Sequence, residues 1–162
     1  MEIINNFIQN KNIFDDIKNL LMSYTFPYYY YNQIAHEKDK SDYFFQHVLY
    51  DKDQPRSEYF YKITMPILGR LNFNHLVRAK VNCYTKKHEQ IITGMHTDRP
   101  QKHMVALFSI NTNNGYTLFE NGNKILSVEN QLVLFEGHLK HCSVAQTDKN
   151  IRVNININMD IS

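Results

Sequence analysis

The sequence of 162 residues lacks tryptophan, contains only two cysteines and has no long run of apolar residues. Cys83 and Cys142 lie far apart and form no Cys-x-x-Cys motif, which predicts reduced thiols that act as small core residues in a cytoplasm. The first residues lack the basic and apolar segments of a secretory signal, and no apolar stretch is long enough to cross a membrane. We therefore expect a cytoplasmic protein without membrane partners.

The sequence also lacks a block of one charge. Its 18 basic and 16 acidic residues are mixed along the chain and give a net charge of +2. Without a basic cluster, nucleic acid is unsupported, although not excluded, as a partner, and the expected partner is a protein or small-molecule substrate. The hydrophobic fraction of 43% is that of a folded chain, so residues 1–162 are predicted to form one domain.

Two stretches in the first half of the chain show helical periodicity. The first runs from Asn12, a candidate N-cap, to Tyr24, and the second begins near Ser57 and is interrupted near Pro66. The aromatic run at 26–31 and the apolar residues within 44–49 predict short strands. The polar stretch 36–58 is otherwise predicted to form loops, and a mobile lid, if the protein has one, is expected there.

After about Leu76 the periodicity changes from 3.6 to 2 residues. Six strands are predicted, separated by turns rich in Gly and Asn: Leu76–Tyr84, Met104–Ile110, Tyr116–Phe119, Gln131–Phe135, Cys142–Ala145 and Ile151–Met159. Turns are predicted at Asn111–Gly115, Asn121–Asn123 and Thr147–Asn150. This pattern predicts a mainly β domain of the α+β class, in which 1–75 form a helical and loop support region and 76–162 form a sandwich or barrel core.

The pair His96 and Asp98 is a candidate metal-binding motif, although a chain with 8 His and 16 acidic residues contains about one such pair by chance. If the two residues lie in a strand, their side chains point to one face about 6.6 Å apart and can reach one ion. A third ligand is needed before the pair has functional meaning.

His141 is the predicted third ligand. If residues 147–150 close a hairpin, His141 lies opposite Asn156, on the face that also carries Arg152. The neighbouring His138 would lie on the other face, so His141 is preferred as the ligand. Two His and one carboxylate are the facial ligand set of non-haem Fe(II) oxygenases. An inward Arg is suited to bind a carboxylate through two hydrogen bonds.

These motifs resemble those of the Fe(II)/2-oxoglutarate-dependent dioxygenases, within the prolyl-4-hydroxylase-like branch that includes small phage-encoded members. The residues that carry the resemblance are Asn82-Cys83-Tyr84, Gly94-Met95-His96-Thr97-Asp98, Ile110–Glu120, Gly137-His138-Leu139-Lys140-His141-Cys142 and Ile151-Arg152-Val153-Asn154. The resemblance implies a double-stranded β-helix, a jelly-roll or cupin-like barrel, with supporting N-terminal helices.

The resemblance also implies roles for particular residues. His96, Asp98 and His141 would bind Fe(II) as the catalytic ligands, and Arg152 would bind the far carboxylate of 2-oxoglutarate. Tyr84 would contact the same cosubstrate, with Asn82 as a weaker candidate. The other expected cofactors are O₂ and, as a stimulating reductant, ascorbate.

The implied activity is hydroxylation of an unactivated C–H group, of a prolyl or other protein side chain, with release of succinate and CO₂. Two alternatives stay open at this point. One is an oxidative nucleobase demethylase, which would require a basic groove and a base-stacking aromatic residue. The other is a non-catalytic cupin-like barrel that binds a metal or a small acid. If the chain is phage-encoded, its expected location is the host cytoplasm.

Overall fold

A computed structural model describes residues 1–32 and 43–161 of the chain. The two helices are α1 (Lys11–Leu21) and α2 (Phe60–Leu68). The strands are β1 (Glu2–Ile4), β2 (Tyr29–Tyr31), β3 (Phe44–Asp51), β4 (Gln54–Pro55), β5 (His75–Thr85), β6 (Met104–Ser109), β7 (Asn113–Phe119), β8 (Lys124–Ser127), β9 (Gln131–Glu136), β10 (His141–Val144) and β11 (Ile151–Asp160). The protein is thus mainly β with N-terminal helices, as predicted.

The strands form two antiparallel sheets. The major sheet has the order β1-β9-β6-β11-β5-β3-β2, with β4 paired to β3, and the minor sheet has the order β10-β7-β8. Side chains of both sheets line a common cleft between them. This is the predicted jelly roll.

Strand β11 shows how the two faces of the major sheet differ: one packs against the helices and the other lines the cleft. Val153, Ile155, Ile157 and Met159 are buried in the main apolar cluster, which also contains side chains of both helices. The alternate residues point the other way, towards the minor sheet, because successive side chains of a strand face opposite sides. The helices therefore cover the back of the major sheet and leave its front free for a site.

Helix α1 begins two residues earlier than predicted. The side chain of Asn10, rather than Asn12, caps it by accepting hydrogen bonds from the backbone N–H groups of Asn12 at 3.1 Å and Ile13 at 3.4 Å. The helix ends at Leu21, so Tyr24, to which the helical pattern was predicted to run, lies outside the helix and is fully exposed. Helix α2 continues for two residues beyond Pro66.

The first 75 residues contribute more than helical and loop support. β1 pairs with β9 of the barrel core, and β3 pairs with β5, so both extend the major sheet. The described part of the predicted loop region consists largely of β3 and β4. The rest of the region predicted to contain a lid, residues 36–42, lies outside the described residues.

The predicted C-terminal hairpin is wrong. β10 pairs with β7 in the minor sheet, whereas β11 pairs with β5 and β6 in the major sheet. Residues 147–150 therefore connect the two sheets, because strands adjacent in sequence lie in different sheets here. The predicted turn at Asn111–Gly115 is also partly wrong, since β7 begins at Asn113, and β8 was missed.

No helix in the described ranges 1–32 and 43–161 is long and apolar enough to span a membrane.

Ile155 lies in the centre of β11 and is completely buried. Replacement with Ala should lower the free energy of unfolding by about 2–5 kcal/mol, because it removes buried methyl groups and leaves a cavity. Urea denaturation measures the change. Ile92→Ala is the matched control, because Ile92 is 58% exposed, and a similar loss in both variants would contradict the assigned core.

Candidate metal centre

Three potential metal ligands converge at one end of the cleft. The ligand atoms of His96, Asp98 and His141 all lie within 4.8 Å of one another, and no other group of this kind occurs within the described residues. His96 and His141 are directly paired, each backbone N–H donating to the other's carbonyl oxygen at 2.9 Å. Since directly paired residues share a face, the two imidazoles lie together, with ring centroids 4.9 Å apart.

The local structure around His96 differs from the prediction. His96 forms an isolated bridge rather than part of a regular strand, and Asp98 follows in an irregular segment. The two side chains nevertheless approach each other, because the pairing with His141 fixes one and hydrogen bonds from β11 fix the other.

Both imidazoles are oriented by nearby carbonyl groups. Nδ1 of His96 lies 3.1 Å from the oxygen of Gly94, and Nδ1 of His141 lies 3.0 Å from the oxygen of Leu139. Because a carbonyl can only accept, these contacts put the ring proton on Nδ1 and leave the Nε2 lone pair available for a metal. Burial lowers the pKa of His96, which favours the neutral imidazole that a metal requires.

The carboxylate of Asp98 is held ionised and in a fixed orientation. Its Oδ2 accepts hydrogen bonds from the amides of Asn158 at 2.9 Å and Asn156 at 3.2 Å. Burial by itself would raise the pKa of Asp98. The electrostatic effects of His141 and Lys80 and the two amide hydrogen bonds outweigh it and lower the pKa to about 2.

This ligand set fits Fe(II). Two neutral imidazoles and one carboxylate are the facial triad used by non-haem iron oxygenases, and they leave coordination positions open for other ligands. The amide hydrogen bonds to Asp98 are the outer contacts that keep a ligating carboxylate in place.

Arg152 lies in the same cleft as the three ligands. We call this space the inner cleft; its lining residues are Phe44, Lys80, Asn82, Tyr84, His96, Asp98, Leu107, Thr117, Phe135, His141, Cys142, Ser143, Arg152, Asn154 and Asn156. The predicted hairpin does not exist, but β10 and β11 lie in facing sheets, so His141 and Arg152 still line one cleft.

The Arg152 guanidinium is buried and lacks an acidic partner. One terminal nitrogen donates hydrogen bonds to the hydroxyl of Ser143 and to the carbonyl of Val144, both at 3.0 Å. Its Nε is buried without any partner. Among the residues that the structure describes, no carboxylate lies within ion-pair distance of it. A buried guanidinium without a carboxylate partner can form an ion pair with the carboxylate of a ligand.

Tyr84 and Asn82 also line the inner cleft. Tyr84 pairs with Arg152 across the strands, and its ring centroid lies 5.5 Å from the guanidinium carbon. Burial raises the pKa of Tyr84 to about 12, so its phenol stays protonated. Asn82 donates a hydrogen bond to Asn154 at 3.0 Å, and its own buried Oδ1 has no partner. Both side chains can therefore contact a ligand in the cleft.

His138 is not part of this group. Its side chain is 63% exposed and lies 3.2 Å from the carboxylate of Glu136. His103 is buried elsewhere and packs closely against Gly137. A Cβ at position 137 would lie only 2.0 Å from Nε2 of His103. These histidines have structural or surface roles.

A second space opens beside the metal ligands. This outer cavity has a volume of about 290 Å³, and its lining residues are Tyr31, Phe44, Gln46, Val48, Asp51, Arg78, Lys80, His96, Thr97 and Asp98. Its two cations, Arg78 and Lys80, were not predicted from the sequence. The polar alternation of Arg78, Lys80, Asn82 and Tyr84 along β5 was a signal that could have identified them.

The fold and the site can be compared with known proteins. No protein-family model and no curated protein matches the sequence. A prolyl hydroxylase from Trichoplax adhaerens, solved with a peptide fragment of the hypoxia inducible factor oxygen degradation domain, is similar in structure. The TM-score is 0.63 at 16% identity, and the match covers 98% of this chain and 83% of the hydroxylase.

Two further structures are similar over most of the chain. The non-heme alpha-ketoglutarate-dependent epimerase SnoN of nogalamycin biosynthesis has a TM-score of 0.62 at 10% identity, covering 98% of this chain and 76% of SnoN. A 2OG-Fe(II) oxygenase family protein from Burkholderia pseudomallei has a TM-score of 0.59 at 12% identity, covering 90% and 76%. At these identities the likeness establishes the fold alone, which this chain shares with the three proteins.

Removal of the distal histidine tests the metal site. His141→Ala should abolish binding of Co(II), a spectroscopic substitute for Fe(II), because it leaves only two protein ligands. The visible absorption of bound Co(II) under anaerobic conditions measures this. His138→Ala should bind as the wild type does, and loss of binding in that variant instead would assign the wrong histidine.

Proposed function

We propose that this protein is an Fe(II)- and 2-oxoglutarate-dependent dioxygenase that hydroxylates an unactivated C–H group. The observation that carries the proposal is the placement of His96, Asp98 and His141 in the same cleft as the buried Arg152, whose Nε has no hydrogen-bond partner. In the overall reaction R–H, 2-oxoglutarate and O₂ give R–OH, succinate and CO₂.

The inner cleft supports 2-oxoglutarate as the cosubstrate. A 2-oxo acid can chelate a metal held by the triad, while its far carboxylate can pair with the guanidinium of Arg152. Arg is suited to this role because it presents several donors in one plane, and Nε of Arg152 is still free to donate. The protonated phenol of Tyr84 adds another donor near the same end.

The side chains of the chain act by binding and orientation. Asn156 and Asn158 hold Asp98 as an ionised ligand, and the backbone carbonyls behind His96 and His141 fix the tautomer of both rings. Phe44, Leu107 and Phe135 contribute apolar surface to the cleft and limit the access of water. When bound, iron and 2-oxoglutarate supply the oxidising chemistry that no amino-acid side chain provides.

The outer cavity is the proposed substrate site, because it opens beside His96 and Asp98. We propose a prolyl or other protein side chain as the hydroxylated group. The similarity in fold to a prolyl hydroxylase solved with a peptide supports this choice by analogy.

Anaerobic titration with Fe(II) and 2-oxoglutarate tests the cosubstrate assignment. The wild type should develop the weak visible charge-transfer band of an oxo-acid chelate. In Arg152→Ala, the dissociation constant of 2-oxoglutarate should rise at least about 30-fold, because losing one partner of a buried charge pair costs about 2–5 kcal/mol. Arg70→Ala, remote from the cleft, is the control. Absence of the band in the wild type would favour a non-catalytic metal- or acid-binding barrel.

The products of the reaction test the activity. Proteins and metabolites of a cell lysate incubated in air with the wild type, Fe(II), ascorbate and 2-oxoglutarate should include species heavier by about 16 Da, one oxygen atom. His96→Ala should yield none, because its ligand set is incomplete. Mass spectrometry compares the two samples, and identical product profiles would contradict the proposal.

A further inference from the structure

The outer cavity contains a lysine that forms no ion pair with any described residue. Lys80 lies in β5, directly paired with Val48 of β3 and Asn156 of β11, so it shares their face towards the cleft. Its ammonium lies 5.5 Å from the centroid of the Phe44 ring. Within residues 1–32 and 43–161 no carboxylate lies within ion-pair distance of this ammonium.

Arg78 adds a second cation on the same face of β5. One terminal nitrogen donates to Oδ1 of Asn158 at 3.0 Å and lies 3.9 Å from Oδ1 of Asp98. Its Nε is buried and has no hydrogen-bond partner. Arg78 therefore still has donor capacity beside the cavity.

A count of formal charges shows an excess of positive charge in the loaded site. Fe(II), Asp98 and the two neutral imidazoles together carry one positive charge. Doubly ionised 2-oxoglutarate and Arg152 together carry one negative charge, so the two sets balance. Among the described residues that line the outer cavity, Lys80 and Arg78 then face one remaining acidic residue, Asp51. Within these residues one positive charge is left over beside the proposed substrate site.

Burial makes the charged form of Lys80 costly. Burial, followed by repulsion from Arg78, lowers the pKa of Lys80 to about 8, while Asp98 acts in the opposite direction. A substrate anion beside it would offset the desolvation that burial imposes.

We propose that the outer cavity binds its substrate through a carboxylate, with Lys80 as the anchor and Arg78 as a second donor. The inference rests on the proposed function for its charge balance and deepens it by naming a substrate class. The carboxylate can belong to a small acid or to an acidic side chain near the hydroxylated residue of a protein. Either source offers the same chemistry to the two cations.

The test measures the binding of matched acids and amides to protein loaded with Zn(II) and 2-oxoglutarate. Zn(II) replaces Fe(II) because it undergoes no redox chemistry, so the probes are bound but not converted. The small probes are cyclopentanecarboxylate and N-acetylproline, each with its carboxamide. The peptide probes are a capped proline peptide carrying glutamate and the same peptide carrying glutamine. Calorimetry or ligand-observed NMR gives each dissociation constant. If the substrate is a small acid, each small acid should bind at least about tenfold more tightly than its carboxamide. If the substrate is a protein, the glutamate peptide should bind at least about tenfold more tightly than the glutamine peptide.

Variants locate the preference. Lys80→Met keeps the length of the side chain and removes its charge, so acid and amide should bind equally well within about threefold. Lys80→Arg should retain the preference, and Lys62→Met, on an exposed position of α2, should behave as the wild type. Equal binding of acid and amide by the wild type in every pair would overturn the proposal. So would an acid preference that persists in Lys80→Met.

The dissociation constant of 2-oxoglutarate separates a substrate role for Lys80 from a cosubstrate role. Because Lys80 also lines the inner cleft, this constant should rise to some extent in Lys80→Met but stay well below the rise in Arg152→Ala, and a rise as large as that one would reassign Lys80 to the cosubstrate. Failure of the proposed function gives a different result. If the Fe(II) charge-transfer band is absent but Zn(II)-loaded protein still prefers acids through Lys80, the oxygenase assignment fails and the anion site stands.

Discussion

The structure depends on the alternation of apolar and polar side chains along β11, the strand that lies between β5 and β6 in the major sheet. One face of this strand is apolar and packs against the helices, whereas the other presents Arg152, Asn154, Asn156 and Asn158 to the cleft. A shift of one residue in its pairing would exchange these faces, which would bury the polar side chains among Ile and Phe residues. The core that stabilises the fold and the contacts that orient the site are therefore set by one register.

The same strand connects the two ends of the inner cleft. At one end Asn156 and Asn158 hold the carboxylate of Asp98, and at the other lies the buried guanidinium of Arg152, whose Nε has no hydrogen-bond partner. Buried polar groups are costly unless they find partners. Here many of the partners are other residues of the cleft, and the partner that the Nε of Arg152 lacks is one that the proposed cosubstrate would supply.

Much of the fold was accessible from the sequence, because periodicity reports which side of a strand or helix is buried. The period-2 pattern after Leu76 identified most of the strands of the core, and the helical spacing identified both helices. Strand partners were less accessible. The prediction that β10 and β11 form a hairpin failed because a short connection looks the same whether it closes a hairpin or crosses between sheets.

The sequence by itself determined the residue types of the candidate site and the alternation that turns Arg152 inward. Only the tertiary structure decided how His141 approaches His96, since their pairing joins segments separated by more than forty residues. It also decided that Lys80 and Arg78 border the metal ligands. Such proximity depends on which strands pair and which sheets face each other. A local pattern of residues predicts neither of these.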